Sequence, residues 1–174
     1  MRSFLKILFL CGFAAFSISV KQKLRVEKSP LESLKIGERM PDFTLHDQLG
    51  KEYALSTLEP GKKLILINFW ATWCGPCRLE MPDFEKLYTS KEKDGLLILA
   101  IDEDEERAKL DAYLKLKPVS FPILVDDGGG LSNRFGVTAL PTSVLVGGDG
   151  RIRAVMEGVQ PYWDYTIDTY MKQK

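Results

Sequence analysis

Lys63 to Ala71 reads as one apolar run, Leu64-Ile65-Leu66-Ile67 then Phe69-Trp70, broken only by Asn68, and a second apolar run covers Leu96 to Ile101. Runs this short, without the alternation of a half-exposed strand, are predicted to be sheet strands covered on both faces. Between them the pattern changes period. After Cys74, apolar residues at Leu79, Phe84, Leu87 and Tyr88 recur at helical spacing to about Ser90, with Pro82 expected to kink the helix. Two buried strands joined by a helix place the chain in the α/β class, and the crossover between parallel strands is expected to be right-handed.

The flanking segments extend this plan. Phe43 to Leu55 reads as a β-hairpin around the turn Gln48-Leu49-Gly50, and Thr142–Val146 with Ile152–Met156 as an antiparallel hairpin around Gly147 to Gly150. Pro122–Val125 is expected to be a short strand, Leu131–Phe135 one helical turn, and Tyr162–Met171 a terminal helix. Glu103–Leu116 reads as an amphipathic helix whose apolar members are Leu110, Tyr113, Leu114 and Leu116. The acidic run Asp102 to Glu106 is then read as a helix start complementing the dipole. The predicted fold is α/β: a central mixed β-sheet flanked by helices, with an N-terminal β-hairpin extension.

The 174 residues suffice for one ordinary domain. Residues 1–20 look like a signal peptide or membrane anchor. Arg2 and Lys6 precede a mostly apolar stretch, Ile7 to Val20, that Lys21 closes, and that stretch is shorter than a comfortable bilayer span. Cleavage near Ser17 and Ser19, an uncleaved anchor and lipid modification of Cys11 all stay open, although Leu10 is an unusual neighbour for a lipidated cysteine. Residues 21–37 read as a polar tether and 38–174 as the folded domain. From Glu38 onward, 17 Lys and Arg face 22 Asp and Glu, a net charge of −5. That balance argues against nucleic acid, whose affinity comes from cationic side chains on phosphates.

Cys74 and Cys77 are the only cysteines beyond the export segment. One close pair is too little for a disulfide-stapled scaffold or a four-ligand zinc site, so it reads as a redox couple. No metal or cofactor is expected. The pair lies where a strand gives way to a helix. Unpaired N–H groups and the positive dipole end there favour an anion, so the Cys74 thiolate is expected to be stabilised. Cys77 falls one turn later on nearly the same face, within disulfide reach. Pro76 suits the first helical turn, where its missing N–H is no loss.

The stretch Phe69-Trp70-Ala71-Thr72-Trp73-Cys74-Gly75-Pro76-Cys77 resembles the active-site segment of the thioredoxin superfamily. With Pro41-Asp42-Phe43, with Asn68, and with Arg78-Leu79-Glu80-Met81-Pro82, it is similar to the exported TlpA/ResA-like thiol–disulfide oxidoreductases of the redoxin (AhpC/TSA-like) grouping. The resemblance covers about Gly37 to the C-terminus. It implies a thioredoxin-like fold and an extracytoplasmic enzyme, a monomer attached to the membrane through its N-terminus. It also implies disulfide-containing protein substrates, as in cytochrome c maturation, and a membrane thiol-electron transporter as donor.

Thioredoxin carries an Asp where this chain has Asn68, which cannot ionise; the resemblance moves that proton-handling role to Glu80, three residues past Cys77. It also matches Pro141, in Thr138-Ala139-Leu140-Pro141-Thr142, to a cis-proline facing the cysteines, which leaves the Leu140 backbone to pair with an extended substrate. Trp73, Pro76 and Leu140 are expected to floor that groove, and Trp70 to lie in the core. The expected chemistry is attack of Cys74 on a substrate disulfide and release by Cys77.

Three other activities fit less well. A peroxidase of peroxiredoxin type shares the Pro41-Asp42-Phe43 start but lacks the corresponding Pro ahead of its cysteine. A copper carrier would have cysteines one residue further apart and a distant His, whereas His46, the single histidine, lies in the expected hairpin. An isomerase would be preceded by a dimerisation module.

Overall fold

The computed structural model describes residues 34–173 apart from Glu59 and Glu105. The expected signal or anchor at 1–20, with Cys11, and the tether as far as residue 33 lie outside the described residues. The chain forms strands β1 (Thr44–Asp47), β2 (Glu52–Ala54), β3 (Leu64–Trp70), β4 (Leu96–Asp102), β5 (Ile123–Val125), β6 (Thr142–Gly147) and β7 (Ile152–Glu157). Its helices are α1 (Leu55–Leu58), α2 (Gly75–Lys91), α3 (Arg107–Leu116), α4 (Gly130–Phe135) and α5 (Trp163–Met171). The strands make one sheet in the order β2-β1-β5-β4-β3-β6-β7. β3, β4 and β5 run parallel, while β6 and β7 on one flank and β1 and β2 on the other pair antiparallel. The sheet is mixed and flanked by helices, in the thioredoxin-like arrangement expected.

β3 and β4 are wholly buried because they occupy the middle of this sheet. Ile65, Ile67 and Phe69 pack on one face with Leu99, Leu131 and Phe135. Leu64, Leu66 and Trp70 pack on the other with Phe84 and Leu87 of α2, Leu110 of α3 and Ile167 of α5. Each such apolar side chain removed from water contributes roughly 1.5–3 kcal/mol, so β3 is the energetic centre of the domain. Residues 37–40 line the β7 edge, where Gly37 and Met40 donate N–H bonds to the Ile152 and Gly150 carbonyls and Ile152 N–H returns one to Glu38.

α2 begins where Cys74 adopts an extended conformation and caps it, and it continues through Pro82 to Lys91. A 3-10 turn then leads to Gly95, whose φ of 104° favours glycine, and the chain enters β4.

Three expectations are corrected. The helix expected from Glu103 starts at Arg107 and has no acidic residue in its first turn. Asp102 completes β4 opposite Val125, Glu103 N–H bonds the Trp70 carbonyl, and Asp104 turns inward, so these residues are spent on the sheet before a helix begins. Leu116, expected on the buried face of that helix, is exposed, and Leu110 is its one buried member. Leu79 is likewise exposed although it matches the period of α2. Leu79 and Leu116 both border an open cavity of about 640 Å³ instead of the core, so their spacing reflects a second apolar surface.

Candidate active site

The two cysteines meet at the C-terminal end of β3. The strand ends at Trp70, and Cys74 N–H closes a turn by donating to the Ala71 carbonyl at 3.1 Å. Cys74 is then the capping residue of α2: its Sγ accepts the Cys77 N–H at 3.2 Å. A cap position takes a side-chain acceptor because the first helical N–H groups have no carbonyl partner. Sulfur fills that role here, and an anionic sulfur fills it better than a neutral one. Cys74 and Cys77 are joined as a disulfide with Cα atoms 5.3 Å apart. Both are buried, with Cys74 at 5% exposure the more accessible.

Glu80 projects from α2 one turn past Cys77 and is buried. Its Oε1 accepts two bonds at 2.8 Å, from the Gln160 backbone N–H and from the Trp163 indole. Its Oε2 has no hydrogen-bond partner. Burial pushes the Glu80 carboxyl above the usual carboxylate range; the two hydrogen bonds pull the other way without cancelling it, and Asp83 adds a small upward push. A buried carboxyl with one oxygen fixed and the other unpaired can take and return a proton without moving. Asn68 is buried too and donates its side-chain N–H to the Ser143 hydroxyl at 2.9 Å, a neutral link from β3 to β6.

The Leu140–Pro141 bond is cis, and β6 follows directly. Pro141 is buried, and its carbonyl accepts the Gly158 N–H at 2.8 Å. Leu140 is half-buried and, with Trp73, Glu103, Val137, Thr138 and Ala139, lines a cavity of about 260 Å³. Trp73 is 66% exposed despite its size, and Pro76 is exposed on the first turn of α2. Of the residues expected to contact substrate, Trp73 and Leu140 therefore share one cavity. Pro76 and Pro141 are not among its lining residues.

His46 stands on the surface of the first hairpin, 3.7 Å from Glu52. Among the described residues, no group of three or more His, Cys, Asp or Glu side chains is placed to hold a metal ion. Four residues around the site escaped sequence reasoning. Gln160 and Trp163, which hold Glu80, come from the far end of the chain, and no local pattern links them to it. Asp104, whose Oδ2 accepts the Thr72 N–H at 2.8 Å, and its neighbour Asp102 sat inside an acidic run that reads as a helix start. Their position straight after an apolar β-run was the available sign that they are buried.

Comparison with known proteins agrees with this geometry. The model of the AhpC/TSA family matches residues 36–155. The chain is 34% identical over 167 residues to the thiol–disulfide oxidoreductase ResA of Bacillus thuringiensis subsp. konkukian, covering 96% of this chain and 91% of the relative. It is 36% identical over 142 residues to ResA of Bacillus cereus, covering 82% and 80%. Among solved structures, a thioredoxin-family thiol:disulfide interchange protein of Chlorobium tepidum superposes with a TM-score of 0.68 at 26% identity, covering 79% of this chain and 96% of that one. The exposed lipoprotein thioredoxin Etrx1 of Streptococcus pneumoniae superposes with a TM-score of 0.65 at 26% identity, covering 76% and 100%.

Proposed function

Since the chain belongs to the AhpC/TSA family and is a ResA-like thiol–disulfide oxidoreductase, we propose that it reduces disulfides of exported proteins through Cys74 and Cys77. The observation that carries this reading is the sulfur pair itself, bonded across one helical turn with Cys74 in the capping position of α2.

In the reduced enzyme the Cys74 thiolate attacks one sulfur of a substrate disulfide. The substrate S–S bond breaks, one substrate sulfur leaves as a thiolate, and a mixed disulfide joins the other to Cys74. Cys77 gives up its proton and attacks the Cys74 sulfur; the mixed disulfide breaks, the second substrate thiol is released, and the Cys74–Cys77 disulfide forms. Two electrons pass from enzyme to substrate. Glu80 is the proposed acceptor of the Cys77 proton, supported by its burial and its unpaired oxygen. Trp73, Pro76, Leu140 and Pro141 are the proposed substrate contacts.

A dithiol carried by a membrane thiol-electron transporter would restore the enzyme, and maturation of cytochrome c is the proposed setting, on the strength of the ResA resemblance. We place the domain outside the cytoplasm as a monomer, with residues 1–20 as signal or anchor and 21–37 as tether to the domain at 38–174. Among the described residues, no helix is long and apolar enough to cross a membrane. Turbidity from reduction of insulin by dithiol-recharged protein tests the activity. Block of that reduction by alkylating Cys74 is the expected result; undiminished reduction after alkylation refutes it, and rapid consumption of peroxide in its place would assign a peroxidase.

A further inference from the structure

β4 ends with a buried acid, Asp102. Asp104 is equally buried two residues on. Its Oδ2 accepts the Thr72 N–H, which fixes the short loop between β3 and Cys74 to the end of β4. The Oδ1 atoms of Asp102 and Asp104 both lack a donor. After burial itself, the carboxyl and the backbone N–H of Asp104 are the groups that act most strongly on the Asp102 carboxyl. Two buried carboxylates in that relation repel one another, and a proton held between them removes the repulsion and supplies the missing donor.

Among the described residues, the cation that acts on Asp102 is Arg107, which has other partners. From β3, Trp70 is the register partner of Asp102, and its indole N–H has no acceptor. From α3, Arg107 is the facing cation, but it is engaged by Asp111 Oδ1 at 3.3 Å and by the Gln48 carbonyl. Beyond β5, the Asp126 carboxylate is taken up by the N–H groups of Leu131 and Ser132. Glu103, between the two acids in sequence, adds a third carboxyl that burial also pushes upward. Burial above all, and then the Asp104 carboxyl, push Asp102 up to about 8.

We propose that Asp102 and Asp104 share a single proton and act as a positioning pair for the loop that delivers Cys74, so that substrate capture slows when that proton is lost. Asp104 does the holding, through Thr72; Asp102 keeps Asp104 in place by sharing the proton. Neither touches substrate. The inference rests on the reading of Cys74 as the attacking sulfur.

Carboxyl carbon-13 and amide NMR titration of the oxidised full-length protein tests it first, because neither Cys74 nor Cys77 titrates in that form. One carboxyl of the pair should titrate near neutral or alkaline pH, and the Thr72 amide proton should shift with the same midpoint. If every Asp carboxyl titrates below about pH 5, or if the Thr72 amide stays still, the proposal is overturned. Alkylation rates of reduced Cys74 across pH provide the second test. Asp104→Ala should slow the reaction by about tenfold, with Asp104→Asn, which still accepts from Thr72, restoring most of the rate. Asp102→Asn should abolish the decline of substrate capture at alkaline pH; an unchanged profile in that variant counts against the pair. The titration uses the unmutated protein, so it decides even where a variant fails to fold. A positive titration in a protein without reductase activity would refute the proposed function and leave the shared proton standing.

Discussion

The indole N–H of Trp163 donates to Glu80 Oε1 at 2.8 Å, joining residues 83 apart in the chain. Phe84, one turn along α2 from Glu80, packs edge-on against the same indole with ring centroids 5.0 Å apart. α2 and α5 are thus locked together at the point where the proposed proton acceptor emerges. The bond favours the ionised carboxylate, and burial favours the neutral acid; burial is the larger effect.

Replacement of Glu80 by Gln keeps the size of the side chain and removes the ionisable group. Turnover should fall roughly 100-fold, within the range usual for a lost general base, and mixed disulfides should accumulate because the second step is the one impaired. Steady-state insulin reduction and quenched-flow trapping measure the two effects.

Trp163→Phe gives a finer test. Loss of the indole donor removes an interaction that stabilises the carboxylate, so the Glu80 carboxyl should titrate at still higher pH. A base acts only when ionised. The rising limb of the pH–rate profile should therefore move to higher pH, with the plateau rate less affected than in the Gln variant.

Cys77→Ser should convert the enzyme into a trap. With no second sulfur to attack, the Cys74–substrate disulfide persists and should appear as covalent adducts in intact-mass spectra. Cys74→Ser should form none.

Stability should fall as pH rises through the neutral range. Glu80, Asp102 and Glu103 all bind protons more tightly in the folded state than when unfolded. The native state therefore holds more protons than the unfolded chain above the ordinary carboxylate range, which makes the slope of unfolding free energy with pH negative. For Asp102 the window runs from about 4 to about 8, and the loss across it is on the order of a few kcal/mol. Urea midpoints for the oxidised protein should decrease from pH 5 to pH 8, and Asp102→Asn should flatten the trend.

Gly148→Ala examines packing remote from the chemistry. A Cβ at this position would lie 2.2 Å from the Lys62 carbonyl oxygen, where the β6–β7 turn crosses the start of β3. Neither neighbour is a flexible side chain, so backbone must shift, at a cost of roughly 1–3 kcal/mol. The melting temperature should drop while activity per folded molecule holds.

The sequence alone determined the sheet interior, the helix after Cys74 and the redox pair. Each rests on spacing over a few residues: unbroken apolar runs, a change of period, two sulfurs one helical turn apart. The same reasoning placed Leu79 and Leu116 on buried faces, because a period shows that two helices have apolar sides without showing which neighbour covers them. It also read Asp102 to Glu106 as the start of a helix, because charge in a sequence says nothing of how deep a strand carries it before the chain turns. Tertiary structure decided that Asp104 holds the Thr72 amide, that Gln160 and Trp163 hold Glu80, and that Leu140 faces Trp73 across one cavity. Those contacts depend on the packing of α5 on α2 and on the order of strands in the sheet. Both are set by the summed burial of many side chains, and no short stretch of sequence contains that sum.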